Sequence, residues 1–426
     1  MRFFAHSLGC KVNSYEVAAI VKSLEEEGHA PSSLQEADLI VLNTCSVTGV
    51  ADQKSRQHIR RFRRENPNAC LLVMGCYSEA VGEECLSYGA DIVLGTSMRN
   101  EALPAWHRYL EKKEKIVLLK KNVRHESYEE LGFVLDAEMT RAYLKVQDGC
   151  DNFCSYCIIP TVRGNSRSRN KEAVVEEAKS LVQKGYQEII LTGIHIGSYG
   201  SDFEEKYTIS DLIRDILDEV PTLKRLRISS IEESEIHNES FLSLLKQYPQ
   251  IASHLHIPLQ SGSSSVLSRM RRKYNTDDFL SLLDKIRDIR HDIAITTDII
   301  VGFPGESEEE FQETLQFCEK AKFAEIHVFP FSPRKGTWAA SMEGQIDPQI
   351  KKERVHRLLE LSKTLRKAYE AQFYQKKVEV LFEDFSEEKK MAYGHTGNYL
   401  KVALPSKRSL HGEILEVEYT AENAAD

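Results

Sequence analysis

The sequence predicts an α/β protein built from an N-terminal doubly wound parallel-sheet domain, a central partial (β/α)6 barrel and a small C-terminal β-barrel. Three observations predict it. Short apolar runs alternate with helical periodicity over most of the chain, the C-terminal stretch switches to short runs parted by glycine turns, and cysteines recur just past the ends of several runs. The length of 426 residues fits about three domains, and 41% hydrophobic residues suffice for their cores.

In the first unit, residues 1–120, the apolar stretches Phe3–Ala5, Leu39–Leu42, Leu71–Met74 and Ile92–Leu94 are spaced by helical patterns such as Ser14–Glu27 and Val50–Glu65. A cysteine follows each of the first three, in Leu8-Gly9-Cys10, Asn43-Thr44-Cys45 and Met74-Gly75-Cys76. The carboxyl ends of an open parallel sheet share one edge, so three cysteines remote in sequence can meet there. One such cysteine is usually a small buried residue, whereas three in equivalent positions point to a metal site. A charged stretch around Glu111–Asp136 reads as a linker.

Six further strands, Tyr143–Gln147, Glu188–Thr192, Arg225–Ser229, His254–Ile257, Ala294–Val301 and Glu325–Phe329, alternate with helices over 137–365, too few for a closed eightfold barrel. After the first of them comes Gly149-Cys150-Asp151-Asn152-Phe153-Cys154-Ser155-Tyr156-Cys157. This C-x3-C-x2-C spacing lets Cys150, Cys154 and Cys157 converge on one iron-sulfur cluster and leaves one iron open to a small molecule. Other strand ends carry Gly193, Glu232 and Gln260, where glycine permits close approach of a ligand to the backbone.

A helical stretch over Pro348–Gln375 leads into the last unit, residues 368–426, with strands at Val378–Phe382, Met391–Tyr393, Tyr399–Leu404 and Ile414–Tyr419. A barrel of this size suits single-stranded nucleic acid, with Tyr393 and Tyr399 as exposed stacking groups. Seven Lys/Arg against ten Asp/Glu from Lys376 to Asp426 mean that it is no basic clamp.

Composition narrows the classes. Nine cysteines without a secretory pattern favour metal use over disulfides, and no apolar run approaches the ~20 residues of a membrane span, so a cytoplasmic protein is expected. The net charge of −9 confines any nucleic-acid contact to local patches. Three are present: Lys54, Arg56, Arg60, Arg61, Arg63 and Arg64 on one helix; Arg163, Arg167 and Arg169 after the cysteine loop; and Arg269, Arg271, Arg272 and Lys273. Cys70, Cys85 and Cys318 have no partner spacing and read as packing residues.

The cysteine loop, with Tyr156 before its last Cys, resembles the signature of radical S-adenosylmethionine enzymes, and nearly the whole chain resembles their methylthiotransferase branch. Leu8-Gly9-Cys10-Lys11-Val12-Asn13, Val146-Gln147-Asp148-Gly149-Cys150 and Leu191-Thr192-Gly193-Ile194-His195 are most similar to the MtaB type, which methylthiolates N6-threonylcarbamoyladenosine beside the anticodon of transfer RNA. Sister enzymes acting on isopentenyladenosine or on a ribosomal-protein aspartate share the same cysteine plan.

The resemblance implies two 4Fe-4S clusters. One, on Cys150, Cys154 and Cys157, would cleave S-adenosylmethionine to a 5′-deoxyadenosyl radical; the other, on Cys10, Cys45 and Cys76, would carry the sulfur to be inserted. It further implies S-adenosylmethionine near Tyr156, Gly193, Glu232 and Gln260, and a TRAM-type final barrel. The expected partners are the anticodon stem-loop, touched by Arg60, Arg61, Arg64, Arg163, Arg167 and Tyr399, and an electron donor such as flavodoxin or ferredoxin. Two other classes compete: a non-catalytic zinc and RNA-binding protein, which lacks a fourth ligand in each set, and a radical enzyme on a small metabolite, which leaves the N-terminal cysteines unused.

Overall fold

The computed structural model describes residues 1–120, 126–134 and 140–425. The N-terminal strands, Arg2–Ser7, Ala30–Pro31, Leu39–Thr44, Cys70–Gly75, Ile92–Leu94 and Ile116–Leu118, form a parallel sheet. Its order places Leu39–Thr44 between Arg2–Ser7 and Cys70–Gly75. Both of the latter two central strands, Leu39–Thr44 and Cys70–Gly75, are buried at every residue, as a parallel sheet covered on two faces requires. One face packs on the helices Lys11–Glu26 and Ala102–Lys112 with Trp106 fully buried, the other on the helix Gly49–Glu65 through Ile59 and Phe62. Cys70, Cys85 and Cys318 lie inside these and the barrel core.

Ile116–Leu118 falls within the stretch read as a linker, where three consecutive branched residues suffice to add an edge strand. The linker reading at 121–125 and 135–136 lies outside the described residues, as does the barrel's expected start at 137. Between them, residues 126–134 are pinned rather than solvated. Glu129 pairs with buried Arg99 at 2.8 Å, Glu130 pairs with buried Arg169, and Lys22 donates to the Phe133 carbonyl at 2.8 Å.

The central strands are Arg141–Lys145, Glu188–Thr192, Arg225–Ile228, His254–His256, Ala294–Val301 and Glu325–Pro330. They form two three-stranded parallel sheets, which the bridges Leu226–Ile251 and Ser230–His256 join into one six-stranded open barrel. Side chains alternate along each strand. Leu144, Ile189, Leu191, Leu226, Ile228, Leu255, Ile295, Ile299 and Ile326 point outward into a single apolar core with the surrounding helices. The alternate positions, Arg141, Tyr143, Lys145, Glu188, Arg225, Arg227, His254, His256, Thr296, Asp298, Glu325 and His327, turn inward, so the lumen is polar.

The helix Pro348–Ala371 leads to a curled antiparallel sheet of Lys376–Ser386, Met391–Thr396, Lys401–Pro405 and Ile414–Tyr419, with a bulge between Phe382 and Asp384. The third strand starts two residues later than the sequence predicts, because the turn at Gly397-Asn398 is closed by the Tyr399 N–H on the Thr396 carbonyl, with Tyr399 at φ +59°. No helix among the described residues is long and apolar enough to cross a membrane.

Candidate functional site

At the carboxyl edge of the N-terminal sheet the thiols of Cys10, Cys45 and Cys76 come within electrostatic range of one another. Gly9 makes this possible. At φ +103° a side chain is strained, and a Cβ there would stand 2.7 Å from the Cys45 Cβ and 2.8 Å from its Sγ. Asn13 ties the loops together. Its Nδ2 donates to the Leu8 and Thr44 carbonyls at 2.7 and 3.1 Å, while its Oδ1 faces the Cys10 Sγ at 3.5 Å. Cys10 is exposed and the other two are buried; burial pushes the Cys45 thiol up and the Cys76 thiol to about 12, against the pull of Arg163.

Cys150, Cys154 and Cys157 form the second set, also within mutual electrostatic range, on a loop clamped at both ends. The Cys150 N–H donates to the Gly164 carbonyl at 3.0 Å, and Ser155 donates to the carbonyls of Met270 and Arg269. Arg272 reaches over the loop. Its Nη1 donates to the Cys154 Sγ at 3.3 Å, its Nη2 pairs with Glu232, and its guanidinium lies on the Tyr274 ring. Tyr156 packs against Val266, Met270, Phe303, Phe331 and Ala339.

Arg163 joins the two sets. Fully buried, it donates from Nε to the Cys76 Sγ at 3.1 Å, from Nη2 to Asn13 Oδ1 at 2.8 Å, and from Nη1 to Glu16 and Asp148, each at 2.9 Å. Asp148 in turn accepts the Gly149 N–H at 2.8 Å, one residue before Cys150. Arg99 and Lys145 complete the network on Glu16, at 2.7 and 3.1 Å. Burial works against the Glu16 charge, but Arg163, Arg99 and Lys145 outweigh it and hold the carboxyl well below its usual range.

Several expected contacts are corrected by this geometry. Arg163 and Arg167 are buried, Arg163 in the Glu16 and Asp148 network and Arg167 donating to the Arg163 carbonyl at 2.7 Å, so neither is placed to meet a phosphate. Arg169 is buried with Glu177 and Glu130. Tyr399 is no exposed stacking platform; its ring lies 3.7 Å from the Arg227 guanidinium and edge-on to His254 at 4.6 Å, closing the lower end of the lumen. In the third basic group Arg269 pairs with Glu310 and Arg271 stacks on Trp338. Arg60, Arg61 and Arg64 do stay exposed on the helix Gly49–Glu65, with Arg60 over the Tyr88 ring and Arg61 paired to Glu65.

Gly193 follows the strand Glu188–Thr192 with no room for a Cβ, which would meet Ile196 at 2.8 Å and the Gln147 carbonyl at 3.0 Å. Glu232 is committed to Arg272, and Gln260, at φ +71°, bridges to Ile299. The sequence reading missed Asn13, Glu16 and Arg272 as site-building groups, and also Lys11. Burial, with Arg227 and Arg141 nearby, pushes the Lys11 amine down to about 8. Only the proximity of Lys11 and Asn13 to Cys10 hinted at their place.

Six thiols in two sets, each touched by an arginine N–H and backed by glycine, suit anionic clusters with three protein ligands apiece. A three-cysteine loop at the carboxyl edge of a six-stranded open barrel defines a radical S-adenosylmethionine enzyme. Residues 144–318 match the radical SAM superfamily, and residues 2–95 match a family described as uncharacterized, UPF0004.

A Bacillus subtilis protein named threonylcarbamoyladenosine tRNA methylthiotransferase MtaB is 45% identical over 97% of this chain and 92% of its own. Its Thermotoga maritima namesake is 38% identical, over 88% and 85%. A Thermoanaerobacter protein named tRNA-2-methylthio-N(6)-dimethylallyladenosine synthase is 34% identical, over 99% and 91%. Among solved structures, the radical S-adenosylmethionine methyltransferase TsrM from Kitasatospora setae shares the fold, with a TM-score of 0.61 over 80% of this chain and 74% of its own at 14% identity. The chain belongs to the radical S-adenosylmethionine methylthiotransferase family, and its cofactors are two 4Fe-4S clusters and S-adenosylmethionine.

Proposed function

We propose that the protein inserts a methylthio group at C2 of N6-threonylcarbamoyladenosine beside the anticodon of transfer RNA, acting in the cytoplasm. The observation that carries this reading is the pair of three-cysteine sets linked through Arg163, which bonds Cys76 Sγ and the Asp148 carboxylate two residues before Cys150. The particular substrate is supported by the relative that is 45% identical over nearly the whole chain.

Cys150, Cys154 and Cys157 would hold one cluster, with S-adenosylmethionine placed by Tyr156, Gly193 and Gln260; Cys10, Cys45 and Cys76 would hold the other. Bound there, the cofactors supply hydrogen abstraction from an aromatic C–H and the sulfur and methyl groups that take its place. The chain positions and excludes water. Arg272 and Arg163 each direct an N–H at a ligand sulfur, which offsets the negative charge of the thiolates. Glu232 holds Arg272 in that position. The polar lumen receives the adenine from above, since Tyr399 and the C-terminal sheet close it from below.

The units 1–120, 137–365 and 368–426 would be an auxiliary-cluster domain, a radical core and a TRAM-type module. The exposed Arg60, Arg61 and Arg64 would meet the stem-loop backbone, and a small donor such as flavodoxin or ferredoxin would supply electrons. The test is a reaction of anaerobically reconstituted protein with an anticodon stem-loop bearing N6-threonylcarbamoyladenosine, read by mass analysis of nucleosides and of 5′-deoxyadenosine. Methylthiolated product from the wild type, together with cleavage but no product from a Cys10→Ala, Cys45→Ala, Cys76→Ala variant, is the expected result. Product only from a stem-loop bearing the dimethylallyl nucleoside would overturn the substrate assignment.

A further inference from the structure

One short segment reaches both cysteine sets. Residues 331–341 follow the strand Glu325–Pro330 and first touch the N-terminal domain. There Arg334 donates to the Ser46 hydroxyl at 2.9 Å and pairs with Asp52 at 2.6 Å, and the Gly49 N–H donates to the Ser332 hydroxyl at 3.0 Å. The segment then meets the other set, where the Ala339 N–H donates to the Ser155 carbonyl at 2.8 Å. Ser46 follows Cys45, and Ser155 follows Cys154.

Trp338 lies between these anchors and is 60% exposed. Arg271 covers one face of its ring, with the guanidinium carbon 3.8 Å from the ring centre. Arg271 is itself placed by the cysteine loop, since it follows Met270, whose carbonyl accepts the Ser155 N–H at 3.1 Å. The neighbouring Arg269 and Arg272 are committed to Glu310 and Glu232, whereas among the described residues no carboxylate pairs with Arg271. Exposed apolar side chains recur on the same loops, with Val47 and Val50 just after Cys45 and Phe153 just before Cys154. Apolar surface gathered around a site, beside a cation left unneutralised, marks a place where a partner binds.

We infer that Trp338 and Arg271 form a stacking site for one unpaired nucleobase of the anticodon loop: the base lies on the open face of the indole, and Arg271 behind it supplies the positive charge that draws the phosphate backbone. This rests on the reading of transfer RNA as the substrate and deepens it by naming where the loop is held. Shape and charge select the occupant. A flat aromatic surface backed by an unpaired cation suits a planar base on a polyanionic chain, and loop nucleotides are the ones free to be splayed onto it. An amphipathic peptide would need a continuous apolar groove, and the Arg271 guanidinium interrupts one here. The position agrees, because Trp338 and Arg271 each adjoin a residue bonded to Ser155, so a base stacked there is held beside the loop that carries Cys154 and Cys157.

The test measures dissociation constants of an anticodon stem-loop bearing N6-threonylcarbamoyladenosine on anaerobically reconstituted wild type, Trp338→Ala, Trp338→Phe and Arg271→Gln. Iron content and melting temperature are the controls for integrity. Trp338→Ala is expected to weaken binding by about tenfold, as loss of one stacked base implies, and Trp338→Phe to keep most of the affinity. Arg271→Gln lowers the slope of log affinity against log salt by about 1. Stem-loops carrying 2-aminopurine at each loop position in turn identify the base: at one position the fluorescence changes on binding to the wild type and not on binding to Trp338→Ala. A Trp338→Ala protein that binds the stem-loop as tightly as the wild type overturns the assignment. So does one that loses iron, or one that keeps its RNA affinity and loses only turnover driven by flavodoxin. A wild type that binds no stem-loop is a separate result, which overturns the substrate reading and the stacking site with it.

Discussion

Replacing Arg163 by Met tests the connection between the two cysteine sets. Methionine fills much of the same volume but removes the N–H groups that reach Cys76, Asn13, Glu16 and Asp148. Taking one partner from a buried ion network typically costs 3–5 kcal/mol, because the remaining charges stay desolvated. Here Arg99 and Lys145 still face Glu16, and Lys145 also faces Asp148 at 2.7 Å, so the loss should fall at the lower end, about 3 kcal/mol. For a unit of this size that corresponds to a melting temperature lower by about 10 °C.

Calorimetry of the metal-free protein reads this first effect. The second concerns the reconstituted protein. Iron should stay near the roughly eight atoms per chain of two 4Fe-4S clusters, while the potential of the N-terminal cluster falls, since a hydrogen bond and a positive charge beside its sulfur are gone. Lys at this position keeps the charge without the planar fork and should recover part of both effects. Unchanged melting together with an unchanged redox titration, followed by electron paramagnetic resonance, would refute the reasoning.

Gly149→Ala should cost one cluster only, because its Cβ would stand 1.9 Å from the Asn165 carbonyl oxygen at φ +73° and displace Cys150; iron then falls to about four per chain, and retention of all of it would contradict the geometry. Glu383 docks the C-terminal sheet on the barrel through Arg141 and Thr140 and also pairs with His395 of its own sheet. Burial opposes its charge but these partners outweigh it and hold the carboxyl at about 2, so its contribution is present above about pH 4.5 and lost as pH falls through about 2. Glu383→Gln should therefore weaken protection of that sheet in limited proteolysis at pH 7 by about 3 kcal/mol and by little near pH 2; a gap independent of pH would refute the assignment. Replacing Arg60, Arg61 and Arg64 together by Ser should lower the slope of log affinity against log salt for the stem-loop by about 2 to 3, and an unchanged slope would remove this helix from the interface.

The sheet strands and their cysteines were legible because buried parallel strands are nearly continuous apolar runs that end in glycine or a small polar residue. The barrel's six strands were legible from their alternation with helical segments, but its interior was not. The sequence alone does not say which face of a strand Arg141, Arg225 and His254 occupy; register does, because their neighbours Ala142, Leu226 and Leu255 pack under the helices. Arg163 and Arg167 looked like phosphate contacts because a cluster of cations beside the chemistry has two possible partners. What decides between them is Glu16, 147 residues away from Arg163, and no local pattern reports a pairing at that distance. Tyr399 failed for a related reason: an aromatic residue near a glycine turn gives no sign that an arginine from another unit lies beneath it.

The junction between the N-terminal sheet and the barrel is charged where an apolar one would cost less. Glu16, Arg99, Lys145, Asp148 and Arg163 are all almost wholly removed from water, and such a network is weak evidence for stability, since desolvation consumes most of the attraction. Its effect is directional. Apolar surfaces can slide by a fraction of a side chain at little cost, whereas the Arg163 fork must meet Glu16, Asp148, Asn13 and the Cys76 sulfur at once. Only one relative placement of the two sheet edges satisfies all four. The proposed chemistry, which would remove a hydrogen at one cysteine set and deliver sulfur from the other, needs that placement fixed within a fraction of an ångström, a requirement that stability alone does not impose.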